Sequence, residues 1–180
     1  MKIVSFLLVI VMVLAFQFVV MAKDKNEPSV VLQRNSEGLV QYQETVEIPG
    51  VGASVLFSRA KNWATNAFVS VKDTLQNEDV AGGRLTYKGI LIAQEPLGIK
   101  RPVRFTLTIE IKDGKARITL VSFKALYGEF DQIEKGMEEL LKPDSTPKSV
   151  YSKLVTSIDE KAKLLIEEAK AGLAKPEENW

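Results

Sequence analysis

The chain has 180 residues, 46% of them hydrophobic, which is enough to build the core of one folded domain. Its 24 lysines and arginines balance 23 acidic residues, so it lacks the positive field that drives binding to nucleic acids or anionic membranes. Cysteine and histidine are both absent, which excludes disulfides, thiolate nucleophiles, serine-histidine triads and zinc sites of the usual nitrogen or sulfur type. We expect neither a cofactor nor a metal ion.

The first 22 residues have the pattern of a secretory signal peptide. Lys2 precedes an apolar run from Ile3 to Val20, and small or aliphatic residues precede a cleavage site after Ala22. The apolar run is longer than usual, so an uncleaved membrane anchor remains an alternative. A lipoprotein is excluded because no cysteine can carry the lipid. We therefore predict a periplasmic or secreted protein that contacts a membrane only if this segment is retained.

The remaining chain divides into a flexible leader at 23–38, a single domain at 39–174 and a tail at 175–180. A strand is predicted from Val40 to Ile48, where apolar and polar residues alternate. Glu44 falls on its apolar face, where pairing with an arginine or a place near the end of the sheet is favoured over a catalytic role.

A helix is predicted next, with Ser54 as its N-cap. Its apolar face is formed by residues at helical spacing, namely Leu56, Ala60, Trp63, Ala67 and Val71. Trp63 is therefore predicted to be a core anchor. A glycine inside a strand often marks the close approach of another group, and we expect Trp63 to contact Gly89.

The middle of the chain predicts two hairpins. The first has a short strand at 74–78, a turn at 81–83 and a second strand from Arg84 to Ile92. The second joins the strand that contains Phe105 to the strand 116–123 through Asp113-Gly114, the signal of a type I′ turn. Phe105 is expected to face the core.

Helical spacing predicts a short acidic helix within 126–142. After a loop at 143–147, Thr146 as N-cap and Pro147 as first residue predict a long helix that ends at Gly172 and Pro176. Leu154 belongs to its buried stripe, together with Tyr151, Ile158, Ala162, Leu165 and Ala169. Two helices on one face of an antiparallel sheet give an α+β fold.

Three segments of this sequence, VEIPGVGASVLFSRAKNWATNAF, YKGILIA and VRFTLTIEIKDGKARITL, together with the leader, resemble a secreted bacterial domain of unknown function with a TATA-binding-protein-like (TBP-like) fold. The resemblance covers about residues 40–123. It implies a β-α-β-β-β-β-α layout and an extracytoplasmic setting, and it brings no activity or functional residues. The acidic segment 129–139 is a departure from the family pattern.

The fold name suggests nucleic acid, but neutral charge and export count against it, and a β-branched, charged sheet face is more simply solvated. A hydrolase or a calcium-binding protein would use the acids of 129–139, which are Glu129, Asp131, Glu134, Glu138 and Glu139. These acids lie on the solvent-facing side of the predicted amphipathic helix, so we favour a non-catalytic function.

The preferred hypothesis is a binding or interaction module of the cell envelope, with a protein or glycan partner; a purely structural accessory role is the alternative. The uncovered sheet face is the first candidate site, and its predicted binding residues are Arg84, Arg104, Thr106, Arg117 and Phe123. The predicted structural core residues are Trp63, Gly89, Phe105 and Leu154.

Overall fold

A computed structural model describes residues 32–68, 74–128, 133–141 and 148–176. Several features predicted above lie outside these ranges: the signal peptide with its cleavage site, Val71, Glu129, Asp131, the loop with Thr146 and Pro147, and the last four residues of the tail. The side chain of Tyr151 is likewise not described.

The described elements follow the order β-α-β-β-β-β-β-α-α, and a single 3₁₀ turn at Pro96–Gly98 joins two of the strands. The strands are β1 Gln41–Glu47, β2 Leu75–Asp79, β3 Arg84–Gln94, β4 Lys100–Lys112, β5 Lys115–Tyr127 and β6 Ile133–Gly136. The helices are α1 Ala53–Ala67, α2 Met137–Leu140 and α3 Lys148–Ala174.

The strands form one antiparallel sheet in the order β2-β3-β4-β5-β1. The long strand β5 has two partners along its outer edge: β1 pairs with its first half and β6 with its last four residues. At the first residue of β1, the N–H of Gln41 donates to the carbonyl of Gln33 over 3.0 Å, so hydrogen-bonded structure begins ahead of Leu39.

One face of the sheet is covered by α1 and α3, and the core lies between the helices and this face. Alternate residues of β4 show the pattern most clearly, since Val103, Phe105, Leu107, Ile109 and Ile111 are each at most 4% exposed. Leu154 of α3, 2% exposed, enters the same core as predicted. The α+β class and the helix pair on one face are thus confirmed. Within the described ranges, no helix is both long enough and apolar enough to cross a membrane.

Helix α1 begins two residues earlier than predicted and takes its cap from a distant part of the chain. Its N-cap is Gly52, not Ser54, and the Asp113 carboxylate accepts a hydrogen bond of 2.7 Å from the N–H of Ala53. Asp113 thereby satisfies one of the N–H groups that the start of a helix leaves unpaired.

Asp113 also belongs to the two-residue loop between β4 and β5, which the sequence predicted correctly in length. A type I′ turn requires a positive φ at both loop residues, but only Gly114 has one, at 72°. The type I′ assignment is therefore wrong; the loop docks on the start of α1 instead, where the N–H of Gly114 donates to the carbonyl of Val51.

Trp63 is partly buried and packs against the core, but its glycine neighbour is not the predicted one. The indole lies against Gly172 of α3, where an added Cβ would stand 2.6 Å from the indole Cδ1. Gly89 is covered by Phe105, its cross-strand partner in β4, whose Cε1 would lie 2.9 Å from a Cβ at that position. The predicted contact between Trp63 and Gly89 is therefore wrong.

The segment 126–142 is only partly helical. Strand β5 continues to Tyr127, and Ile133–Gly136 pairs with it as β6, so the helix α2 is confined to Met137–Leu140. The helical spacing of the apolar residues misled the prediction because part of this segment is held in the sheet through backbone hydrogen bonds to β5.

Candidate binding face

The face of the sheet opposite α1 and α3 is called the open face here. Its middle is a row of hydroxyl groups across three strands, because Thr86 of β3 stands opposite Thr108 of β4 and Thr108 stands opposite Thr119 of β5. Gln43 of β1 extends the row beyond Thr119. Threonine hydroxyls both donate and accept hydrogen bonds, so this row can contact polar groups of either kind.

A charged row runs beside the threonines. Glu110 of β4 stands between Arg84 and Arg117, its cross-strand neighbours on β3 and β5, and its two oxygens lie 2.7 Å from Arg84 Nη2 and 2.6 Å from Arg117 Nη2. The hydrogen bond from Arg84, with that from Arg117, holds the pKa of the Glu110 carboxyl below its usual value against the opposing effect of burial. Asp79 of β2 stands opposite Arg84 in the same row, so the two guanidinium groups of the row are matched by two carboxylates.

A similar group lies at the far end of the open face. Glu134 of β6 receives hydrogen bonds from Arg104 of β4 and from Lys124 of β5, the second over 2.9 Å. Here too one carboxylate is shared by two cations. Glu134 thus belongs to the open face, not to an acidic helix.

Four of the five predicted binding residues therefore share the open face, since Thr106 stands on it between Lys88 and Val121 of the neighbouring strands. The fifth, Phe123, is a correction: it is fully buried and its ring lies 6.2 Å from that of Phe105. Strict alternation along β5 would place it outside. A β-bulge intervenes at Ser122, which has a φ of 60°, and reverses the side on which the following residues lie.

Exposed apolar side chains that were not predicted lie where β3 turns into β4. Ile90 and Ile92 of β3 lie on the open face and are 56% and 46% exposed, and Leu97 and Ile99 in and after the following turn are 97% and 48% exposed. The signal was available for the first two, because the period of two that sends Arg84, Thr86 and Lys88 outward continues to Ile90 and Ile92. The run of apolar letters in GILIA conceals that alternation.

The acidic residues near β6 do not converge on one site. Glu134 is held by its two cations on the open face, whereas the Glu138 carboxylate accepts a hydrogen bond of 2.7 Å from the backbone N–H of Val40. Among the residues that the structure describes, no three acidic side chains form a group that could hold a metal ion.

A shallow depression of about 320 Å³ lies at the other end of the open face, beside the β4–β5 turn. Its charged lining comes from Glu110, Lys112, Lys115 and Arg117, and Thr45 supplies a hydroxyl. The carboxylate is already shared by two arginines, so the depression offers cations and hydroxyls to a ligand but no free pair of acids for general acid and base catalysis.

Comparison with known proteins supports the fold. Residues 42–125 match the profile of a family described as "Domain of unknown function (DUF4468) with TBP-like fold". No match was found among curated proteins.

Two crystal structures are similar to this chain. A TBP-like protein from Parabacteroides distasonis has a TM-score of 0.66 and 14% sequence identity, over 79% of this chain and 97% of its own. A DUF4468 family protein from Bacteroides ovatus has a TM-score of 0.63 and 15% identity, over 83% of this chain and 94% of its own. At this identity the likeness establishes the fold alone.

Proposed function

Because residues 42–125 of this chain are a DUF4468 domain with a TBP-like fold, we propose that the protein is a non-catalytic binding module of the cell envelope whose open face contacts another protein. The observation that carries the proposal is the pair of exposed residues Ile90 and Ile92 on β3, which lie on the same face as the threonine and arginine rows. Protein interfaces combine apolar contacts with polar ones, and the open face offers both kinds side by side. An uncovered sheet face that was merely solvated would not need two large aliphatic side chains, Ile90 and Ile92, exposed next to each other on one strand.

The chemistry of the open face favours a protein over a glycan or a nucleic acid. Sugar rings and unpaired bases are bound by stacking on aromatic side chains. All aromatic residues of the described strands lie on the covered side: Tyr42, Tyr87, Phe105, Phe123 and Tyr127. The arginines carry their own carboxylate partners, which lowers the positive field that a polyanion would need.

The cell-envelope setting rests on the N-terminal sequence, where Lys2, the apolar run and Ala22 have the order of a signal peptide. A protein without cysteine can fold in a reducing or an oxidising compartment, so the absence of cysteine is compatible with either side of a membrane. The proposal that the protein is not an enzyme rests on three acids of the open face and the β6 region. Glu110 pairs with Arg84 and Arg117, Glu134 pairs with Arg104 and Lys124, and Glu138 accepts a hydrogen bond from the backbone N–H of Val40.

The proposal is tested by affinity capture from native envelope extracts with three baits. Thr108→Lys places a long cation in the middle of the open face without removing any ion pair, whereas Ser58→Lys makes the same change on the exposed side of α1. We expect a partner that the wild-type and Ser58→Lys chains retain and the Thr108→Lys chain loses. Equal recovery of every partner by all three baits would count against the open face.

A further inference from the structure

The edge of β3 beyond β2 is a second surface, which borders the open face at Ile90 and Ile92. β2 pairs with β3 only from Arg84 to Tyr87, and within the described ranges no strand pairs with the same edge from Lys88 onward. An unpaired strand edge presents N–H and C=O groups that can accept another strand.

The backbone groups that face this edge follow from two hydrogen bonds at the end of β3. The N–H of Glu95 donates to the carbonyl of Ile99 on the β4 side, whereas the N–H of Gln94 donates to Ser157 Oγ of α3 over 2.9 Å. Backbone groups of successive residues point in opposite directions along a strand. The N–H and C=O groups of Lys88, Ile90 and Ile92 therefore point away from β4, toward the free edge.

Helix α3 runs beside the edge, and a groove of about 240 Å³ lies between them, closed at its base by Ala67 and Phe68 at the end of α1 and by Phe105 of β4. The helix lines it with one stripe at i, i+3, i+4 and i+7, which is Lys161, Leu164, Leu165 and Glu168. Leu164 is 51% exposed, and Ile90 and Ile92 flank the groove on the strand side.

The charges of this stripe are opposite at its two ends. Neither Lys161 nor Glu168 has an ion-pair partner in the part of the chain that the structure describes. Such a stripe is complementary to itself: an antiparallel copy sets Lys161 against Glu168 twice and brings the two Leu164 side chains together. A parallel copy would oppose like charges, so the pattern selects the antiparallel arrangement.

The strand and the helix can share one two-fold axis. Ser157 of α3 lies beside Gln94 of β3, and α3 runs antiparallel to β3. Along the strand, Ile90 is ~13 Å from Gln94, and the same distance along α3 corresponds to ~9 residues. A point ~9 residues after Ser157 on α3 lies within about half a helical turn of the middle of the stripe, between Leu164 and Leu165. A single two-fold axis at Ile90 can therefore relate both the two β3 strands and the two α3 helices.

We propose that this edge joins two copies of the chain, with β3 antiparallel to β3 of the second copy and the two α3 helices side by side. The dimer extends the sheet across the axis and leaves both open faces uncovered on the same side. This self-association goes beyond the proposed function, since it does not require the partner that the open face binds.

The chain contains no cysteine, so a single introduced thiol is unique and can be crosslinked in the full-length protein. We would introduce Leu164→Cys, with Ser58→Cys on the exposed side of α1 as the control, and treat both with a short bismaleimide. We expect a covalent dimer from Leu164→Cys and only collisional crosslinking from Ser58→Cys.

The charge pattern gives a second readout. Adding Lys161→Glu to Leu164→Cys should lower the crosslinking yield by roughly tenfold, because the two-fold axis doubles the effect of one reversal on an exposed pair. Adding Glu168→Lys as well should restore the yield. The proposal would be overturned by equal crosslinking yields from the Leu164→Cys and Ser58→Cys chains. It would also be overturned if the yield did not change with Lys161→Glu and Glu168→Lys.

Discussion

Trp63 of α1 lies on Gly172 of α3, so closely that an added Cβ would stand 2.6 Å from the indole Cδ1 and 2.7 Å from Cγ. The same pair of helices is joined one turn away, where Arg59 Nη1 donates to the carbonyl of Leu173 over 3.1 Å. The contact positions the C-terminal helix over the sheet, and it explains why a residue with poor helix propensity occupies the last turns of α3.

Gly172→Ala should therefore destabilise the fold although alanine is the better helix former. The helical gain is at most about 1 kcal/mol, and overpacking against the indole costs about 1–3 kcal/mol. We expect a net loss of ~1 kcal/mol in the free energy of unfolding, measured by urea denaturation. In a Trp63→Ala background, which removes Cδ1 and Cγ and keeps only the Cβ at 2.8 Å, the same change should cost less than in the wild type. A Gly172→Ala chain more stable than the wild type would contradict the contact.

Arg101 and Glu95 form the most buried ion pair of the described residues, with side chains 18% and 8% exposed and 2.7 Å between Nε and Oε1. Arg101 also lies over the ring of Tyr127, with its Cζ 4.0 Å from the ring centroid. Arg101→Leu leaves the Glu95 carboxylate buried without its partner, so we expect a loss of about 3–5 kcal/mol. The matched change Arg84→Leu, at an exposed pair, should cost less than ~1 kcal/mol. Similar losses in the free energy of unfolding for Arg101→Leu and Arg84→Leu would contradict the difference expected between the buried and the exposed ion pair.

Tyr87 gives the stability a dependence on alkaline pH. Burial, with a smaller contribution from Glu78, raises the pKa of its hydroxyl from 10.0 to about 12. A raised pKa in the folded state stabilises it fully below pH 10, and that stabilisation declines as the unfolded tyrosine ionises between pH 10 and about 12. Tyr87→Phe should show a shallower decline between pH 9 and 12 in denaturant titrations. An unchanged slope would argue that the hydroxyl titrates normally.

The sequence predicted the sheet well where period-two alternation is unbroken. Arg84, Arg104, Thr106 and Arg117 were assigned to one face from alternation alone, and the register places all of them there. Phe123 was misplaced because the bulge at Ser122 inserts a residue, and a serine in a strand gives no signal of a positive φ.

Contacts between elements could not be predicted in the same way. A glycine in β3 indicates the close approach of another group but does not identify that group. The register of the β3–β4 pair places the ring of Phe105 over Gly89. Likewise, Glu134 was assigned to a helix from the spacing of its apolar neighbours, whereas pairing with a distant strand decides its conformation. Long-range pairing overrides local pattern in both cases.

The central claim is that the open face binds a different protein, and photocrosslinking in the native host tests it most directly. A photoreactive phenylalanine analogue at Thr106, on the open face, would be compared with the same analogue at Ser58 on α1. The account predicts a discrete adduct from Thr106 whose mass differs from twice that of the chain, and no such adduct from Ser58. Adducts from Ser58 alone, or none from Thr106, would contradict it.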